Sequence, residues 1–162
     1  MTFLIRTYAP ADLPALQIIR AAAFAPVFAS FRSIVGPEIA SLGLKTAEQE
    51  QSDLLDAIAK PDSDHAIAVA ETDSAITGFV SWKPNIAPDI GEITLNAVHP
   101  DHGGKGIGTA LYEHALAALK AAGMQLATVG TGGDPSHAPA RRAYEKAGFS
   151  VHIPSIYMYR KL

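Results

Sequence analysis

Four glycines fall within six residues of the stretch VHPDHGGKGIGTAL, Val98 to Leu111, at Gly103, Gly104, Gly106 and Gly108. Glycine reaches backbone angles closed to other residues and lets a ligand approach the main chain. Pro100 stops the strand leading into this stretch, and a helical pattern begins directly after it. The first amides of a helix lack internal partners, and the helix dipole makes that end electropositive. Successive free amides around such a turn form an anion nest, whose expected occupant is a phosphate or pyrophosphate. Lys105 adds a mobile positive charge at the rim. Taken alone, the run is also compatible with a plain glycine-rich turn. Two better-known phosphate patterns are excluded. GxxxxGK[ST] is absent, and GxGxxG is not met because the spacing is Gly104-x-Gly106-x-Gly108. The loop also lies past the middle of the chain, not after the first strand.

The elements around the loop are legible from periodicity and punctuation. Residues 3–8 pattern as a strand. Asp12 is a good helix N-cap, and Leu13, Leu16, Ile19, Ala23 and Phe24 follow at helical spacing, with Pro26 expected to bend or end that helix. Thr46 and Gln49 pattern as a capping box opening a second helix that runs to about Lys60. Residues 65–72 and 75–83 pattern as a hairpin around Asp73-Ser74. A loop is expected at 85–89. A strand follows at 92–98, a helix at 106–122 stopped by Gly123, a strand at 125–129, and a helix at 139–147 ended by Gly148. Residues 149–153 and 156–160 read as two closing strands. The order β-α-α-β-β-β-α-β-α-β-β predicts a mixed α/β fold in one domain, residues 1–162, with helices on both faces of a mixed sheet.

Composition narrows the function classes. The chain has 162 residues, 48% hydrophobic and 18% charged, enough for one domain with a real core. A net charge of −3 argues against a nucleic-acid partner, which a basic stripe would mark. The absence of cysteine removes disulfides, thiolate metal sites and a cysteine nucleophile. The six histidines show no metal-ligand spacing, so no metal is expected. The N-terminus lacks the pattern of a signal peptide, and no run approaches the roughly 18 apolar residues of a membrane span. A soluble, cytoplasmic protein without membrane association is the expectation.

The loop V-x-P-x-x-G-G-K-G-I-G-x-x-L resembles the acetyl-CoA loop of the GNAT superfamily of N-acetyltransferases. Gly103 stands where that family usually has Gln or Arg. A second segment, HAPARRAYEKAGF from His137 to Phe149, is similar to the family's later motif, with Ala140, Tyr144, Glu145, Lys146, Gly148 and Phe149 in register. His137 occupies the family's asparagine position, which helps hold the pantetheine arm. The opening RTYAPADLPAL and closing IYMYRKL also resemble the family's first and last strands, so the resemblance covers nearly the whole chain. Residues 26–64 match least.

The resemblance implies a central, mixed, mostly antiparallel sheet of about seven strands, with strands 4 and 5 splayed around the pantetheine. It implies transfer of an acetyl group from acetyl-CoA to an amine of a small molecule or peptide, in a ternary complex without a covalent enzyme intermediate. The coenzyme would be held by Ala97, Val98, Gly103, Gly104, Lys105, Gly106, Ile107, Gly108, Thr109, His137, Ala140 and Tyr144, with the Val98 N–H as oxyanion donor. Tyr144 is the implied general acid, and its ordinary pKa of about 10 suits donation to a thiolate. Glu92 is the base candidate. Ideal alternation puts Glu92, Thr94, Asn96 and Val98 on one face, and some relatives place a catalytic glutamate at this offset. Phe24, Phe28, Phe31, Trp82 and Asp134 are candidate acceptor contacts. A non-catalytic acyl-CoA-binding module of the same fold is the alternative. Relatives in that family are often homodimers, and a C-terminal strand at 156–160 offers an edge for a second copy.

Overall fold

A computed structural model describes residues 2–162. Its sheet has five strands in the order β1-β2-β3-β4-β5: β1 Leu4–Thr7, β2 Ala66–Thr72, β3 Ala75–Ala87, β4 Ile90–Val98 and β5 Leu126–Val129. The first four pair antiparallel, and β5 joins β4 in parallel. Asp73 and Ser74 both take positive φ, as the expected two-residue turn between β2 and β3 requires. The loop expected at 85–89 is shorter than predicted. β3 continues to Ala87, which pairs with Ile90 across a tight turn.

Four helices cover the sheet: α1 Leu13–Gly43, α2 Ala47–Ile58, α3 Ile107–Ala121 and α4 Ala138–Lys146. Leu16, Ile19, Leu55 and Ile58 from α1 and α2 pack on Val69, Phe79 and Ala97. Ile107, Leu111, Ala115 and Leu119 of α3, with Tyr144 of α4, pack on the other face against Val80, Trp82 and Ile93. The alternation of β3 explains the division: Phe79 serves one face, Val80 and Trp82 the other.

Several expectations need correction. Pro26 does not break α1. The non-helical residue is Gly36, with φ 79° and ψ 166°, just before Pro37. A proline restricts the residue before it, and a glycine there takes up the kink without a side-chain clash. Within Pro10–Gly43 an 18-residue window with mean hydropathy 1.5 is long and apolar enough to cross a membrane, contrary to the sequence expectation. α1 carries the buried Arg20, which bonds Gln17 and Gln51, and it buries Leu16, Ile19, Val27 and Phe28. Thr46 forms no capping box. Its hydroxyl bonds the Glu50 carboxylate instead, at 2.6 Å.

The two closing strands are also absent, so the sheet has five strands and not about seven. Residues 150–162 run as irregular, exposed chain, with Tyr159 against Gly43 and Lys161 paired with Glu38. A strand needs a partner edge. β5 offers only four residues, and Pro154 removes a donor from the middle of the closing segment.

Candidate functional site

β4 and β5 pair only from Ile90 to Ile93 and from Leu126 to Val129. Beyond Val129 the chain leaves the sheet, so residues 94–98 of β4 have no strand partner on that side. The result is a wedge opening toward the end of β4. Backbone alternation decides which groups line it. The His99 N–H donates to Thr77 O at 2.8 Å, so Ala97, two residues back, also turns its amide toward β3. The N–H groups of Asn96 and Val98 therefore open onto the wedge. The Ala97 amide faces β3 instead.

The glycine loop closes the end of the wedge. A short 3-10 turn, Pro100–His102, leads into it, and Gly103 N–H donates to Pro100 O at 3.0 Å. Backbone bonding resumes at Ala110 N–H on Gly106 O. The six amides from Gly104 to Thr109 find no acceptor among the described residues. Gly104 and Gly106 hold φ of 72° and 82°, a left-handed geometry that turns successive amides the same way. Gly106 is also the N-cap of α3 and has open space around it. Lys105 Nζ donates to Asp101 O at 2.8 Å, which keeps its charge at the rim. His102 Nδ1 is buried without a partner. A row of free amides at the end of a fifteen-residue helix, beside an unsatisfied ring nitrogen, suits a phosphate-bearing ligand.

Tyr144 reaches the wedge from α4. Its ring is 6% exposed and lies 4.6 Å from that of Tyr112, with Phe149 edge-on at 6.0 Å. Asn96 joins the two phenols. Its Nδ2 donates to the Tyr144 hydroxyl at 3.0 Å and to Thr94 O at 2.9 Å, and its Oδ1 accepts from Tyr112 at 2.9 Å. The Tyr144 hydroxyl oxygen lies 3.2 Å from Asn96 Oδ1, to which it donates, and its proton is free to turn to a better acceptor. Burial pushes the Tyr144 pKa up, and the Asn96 and Tyr112 bonds only partly offset it. Tyr112 is pushed up further, by burial and by the neighbouring Tyr144. Both phenols therefore stay protonated at neutral pH. Sequence reasoning missed Asn96 and Tyr112 as a pair, since only the fold brings Tyr144 to residues 48 and 32 positions away.

Glu92 does not share a face with Asn96 and Val98. Gly91 and Ile93 face α3, where a Cβ on Gly91 would overlap Leu119, so Glu92 points to the α1 face. Val80 pairs with Asn96 but Trp82 with Ile93, so β4 carries an extra residue between those positions. This bulge breaks ideal alternation and returns Asn96 and Val98 to the α3 face. Ser81 pins it, bonding the Thr94 hydroxyl and Leu95 O at 2.7 Å each. The Glu92 carboxylate makes no hydrogen bond or ion pair among the described residues.

Phe24, Phe28 and Phe31 lie along α1. Phe24 and Phe28 rings are 6.5 Å apart, and Phe31 stacks on His137 at 5.6 Å. Trp82 is not with them: it lies on the opposite face, edge-on to His114. Asp134 is already saturated. It accepts from Ser30 Oγ at 2.7 Å, Ser136 N at 3.2 Å, Ser136 Oγ, and His137 Nδ1 at 2.5 Å. Burial alone would raise its pKa, but bonds from Ser136, Ser30 and His137 hold it well below the carboxylate range. Ala140 packs beside Tyr144 on α4. No group of three or more metal-ligating side chains occurs among the described residues.

Residues 35–149 match the sequence model of the acetyltransferase (GNAT) family. The chain is 33% identical over 158 residues to a mycothiol acetyltransferase of Streptomyces coelicolor, covering 96% of this chain and 45% of that protein. It is 34% identical over 116 residues to a mycothiol acetyltransferase of Sanguibacter keddieii, covering 68% and 36%. The chain thus spans less than half the length of these curated relatives. Its fold is similar to that of PaiA N-acetyltransferase from Thermoplasma acidophilum in complex with coenzyme A, with TM-score 0.69, 20% identity, and coverage of 96% and 94%.

Proposed function

The chain belongs to the GNAT acetyltransferase family, and on that premise we propose that residues 1–162 act as one acetyltransferase domain, moving an acetyl group from acetyl-CoA to an amine of a small molecule or peptide. One observation carries the reading: the partnerless amides of Gly104 to Thr109 lie at the end of a wedge whose walls bear unpaired strand backbone and a buried tyrosine. The loop amides and Lys105 bind the pyrophosphate. The main chain of Asn96 and Val98 pairs with the pantetheine as a strand would, and the Val98 N–H donates to the oxyanion of the tetrahedral intermediate.

Reaction proceeds by direct attack of the amine nitrogen on the thioester carbon in a ternary complex, which positions both reactants at high effective concentration. Glu92, on the acceptor side, takes a proton from the attacking nitrogen. Tyr144, reaching in from the other face, gives its proton to the departing thiolate. Phe24, Phe28 and Phe31 form an apolar wall for the acceptor. No metal takes part in this scheme. A cytoplasmic location and a homodimer accompany this reading.

The test has two stages. Calorimetry with acetyl-CoA should show stoichiometric binding, and its failure with folded protein would end the proposal. A panel of amines assayed for release of free CoA then separates an enzyme from a non-catalytic acyl-CoA-binding module, which binds but does not turn over. In the enzyme, Glu92→Gln should lower turnover by about 10²–10⁴-fold. Nearly unchanged turnover would remove Glu92 from the mechanism.

A further inference from the structure

The turn between β5 and α4 holds an acid–base pair that the roles of Glu92 and Tyr144 leave unused. His137 Nδ1 lies 2.5 Å from Asp134 Oδ1, and both side chains are largely buried, at 14% and 10% exposure. The pair is built from three directions. Ser30 of α1 donates to Asp134 Oδ2 at 2.7 Å, and Phe31 stacks on the imidazole. Arg141 of α4 donates to Gly132 O at 2.5 Å and Asp134 O at 2.9 Å, bracing the turn from below. At Gly132 a Cβ would collide with the His137 ring and the Asp134 carboxylate, so the turn closes against the pair.

The charged groups facing His137 are few. Its own turn contributes the anionic Asp134, and α4 contributes Arg141, committed to two carbonyls. α1 brings the uncharged Ser30 and Phe31. With Asp134 ionised, the neutral imidazole keeps its proton on Nδ1. Nε2 then presents a lone pair, and it finds no hydrogen-bond partner among the described residues. A neutral His137 held in this way accepts at Nε2. It cannot donate there, as the amide it replaces in the resembled motif would.

Acetylation of an amine needs such an acceptor. The substrate arrives as an ammonium with three N–H bonds, and the amide product keeps one. Two protons therefore leave the nitrogen. Glu92 takes the one lost during attack, and the other must go before attack, because an ammonium has no lone pair. We propose that His137, oriented by Asp134 and Ser30, is the catalytic residue that takes this first proton. One ammonium N–H bond breaks, its electron pair stays on nitrogen, and the proton bonds Nε2. The resulting imidazolium is stabilised by the Asp134 carboxylate and releases its proton to solvent. The proposal rests on the acetyl-transfer reading.

The test compares the parent with His137→Asn, which keeps a polar side chain but cannot take a proton. Two probes are used: 2-phenylethylamine, an ammonium at neutral pH, and phenylhydrazine, uncharged there. For 2-phenylethylamine, kcat/KM should fall by about 10²-fold at neutral pH and recover as pH rises toward the amine's own pKa. At saturating acetyl-CoA, with any change in its affinity measured by calorimetry, the fall for phenylhydrazine should be under about threefold. Asp134→Asn should reproduce the same amine-dependent loss. Equal losses with both probes, weakened acetyl-CoA binding that accounts for the whole effect, or an unchanged pH profile would overturn the role of His137. Absence of turnover by the parent with every amine would instead overturn the acetyl-transfer reading and this proposal with it.

Discussion

Tyr144→Phe tests the chemistry most cleanly, because the structure separates its structural from its catalytic consequence. The phenyl ring keeps its packing on Tyr112 and Phe149. The lost partner is a single hydroxyl. Asn96 retains Thr94 O as the acceptor for one Nδ2 N–H and Tyr112 as a donor to Oδ1, and its second N–H loses the Tyr144 oxygen. The cost is that of one unsatisfied donor, about 1–3 kcal/mol. For a chain of this size that lowers the unfolding temperature by roughly 2–4 °C per kcal/mol. Loss of a general acid, by contrast, costs about 10²–10⁴ in rate. The assay is CoA release followed with a thiol-reactive dye, alongside thermal unfolding and acetyl-CoA calorimetry. Because burial raises the Tyr144 pKa above its ordinary value, the parent should show no loss of kcat from this phenol below about pH 10. Turnover within about threefold of the parent, in a variant with the expected loss of stability, would refute the acid role.

Four further perturbations probe the scaffold. Gly106→Val places a β-branched residue at φ 82°, which costs about 1–3 kcal/mol, and should weaken acetyl-CoA binding roughly 10-fold or more by calorimetry. Gly103, at φ −62° and ψ 154°, has backbone angles open to any residue, and its added Cβ would lie 3.2 Å from Pro100 O, so Gly103→Arg should fold with a small shift of that carbonyl and tighten acetyl-CoA binding about fivefold through a charge-assisted phosphate contact. Asp12 accepts from Arg6 at 2.8 and 3.0 Å and from Ala9 N–H at 2.7 Å, and the Arg6 bonds hold its pKa below the unfolded value of about 3.9. Its stabilisation is therefore full above about pH 4 and is lost as pH falls through the depressed folded pKa. Denaturant unfolding of Asp12→Asn should show a loss of about 1.5–3 kcal/mol at neutral pH that narrows in acid. Gly91→Ala drives a Cβ into Leu119, itself 2% exposed, and should cost about 1–3 kcal/mol by the same measurement.

The glycine loop and the helix after it were legible in the sequence because their information is local. A strand stopped by Pro100, four glycines and a helix start specify an anion nest without reference to distant residues. The two-residue turn at Asp73-Ser74 was legible for the same reason, and so was the position of Tyr144 within its motif. Long-range pairing was not. The sequence offered 149–153 and 156–160 as strands, since their apolar and β-branched residues suit a sheet, but a strand exists only where an edge receives it. β5 leaves too little edge.

The facing of Glu92 shows the same limit at the site itself. Perfect alternation placed it with Asn96 and Val98, and one bulged residue, held by Ser81 from the neighbouring strand, turned it to the opposite face. The Asn96 bridge between Tyr112 and Tyr144, and the Ser30 bond to Asp134 across 104 residues, likewise depend on packing. The sequence alone determined which backbone segment presents a row of free amides, because a chain carries its own φ and ψ preferences. Tertiary structure decided which side chains meet at the wedge, because register, bulges and helix placement are settled only when both faces of the sheet are buried at once.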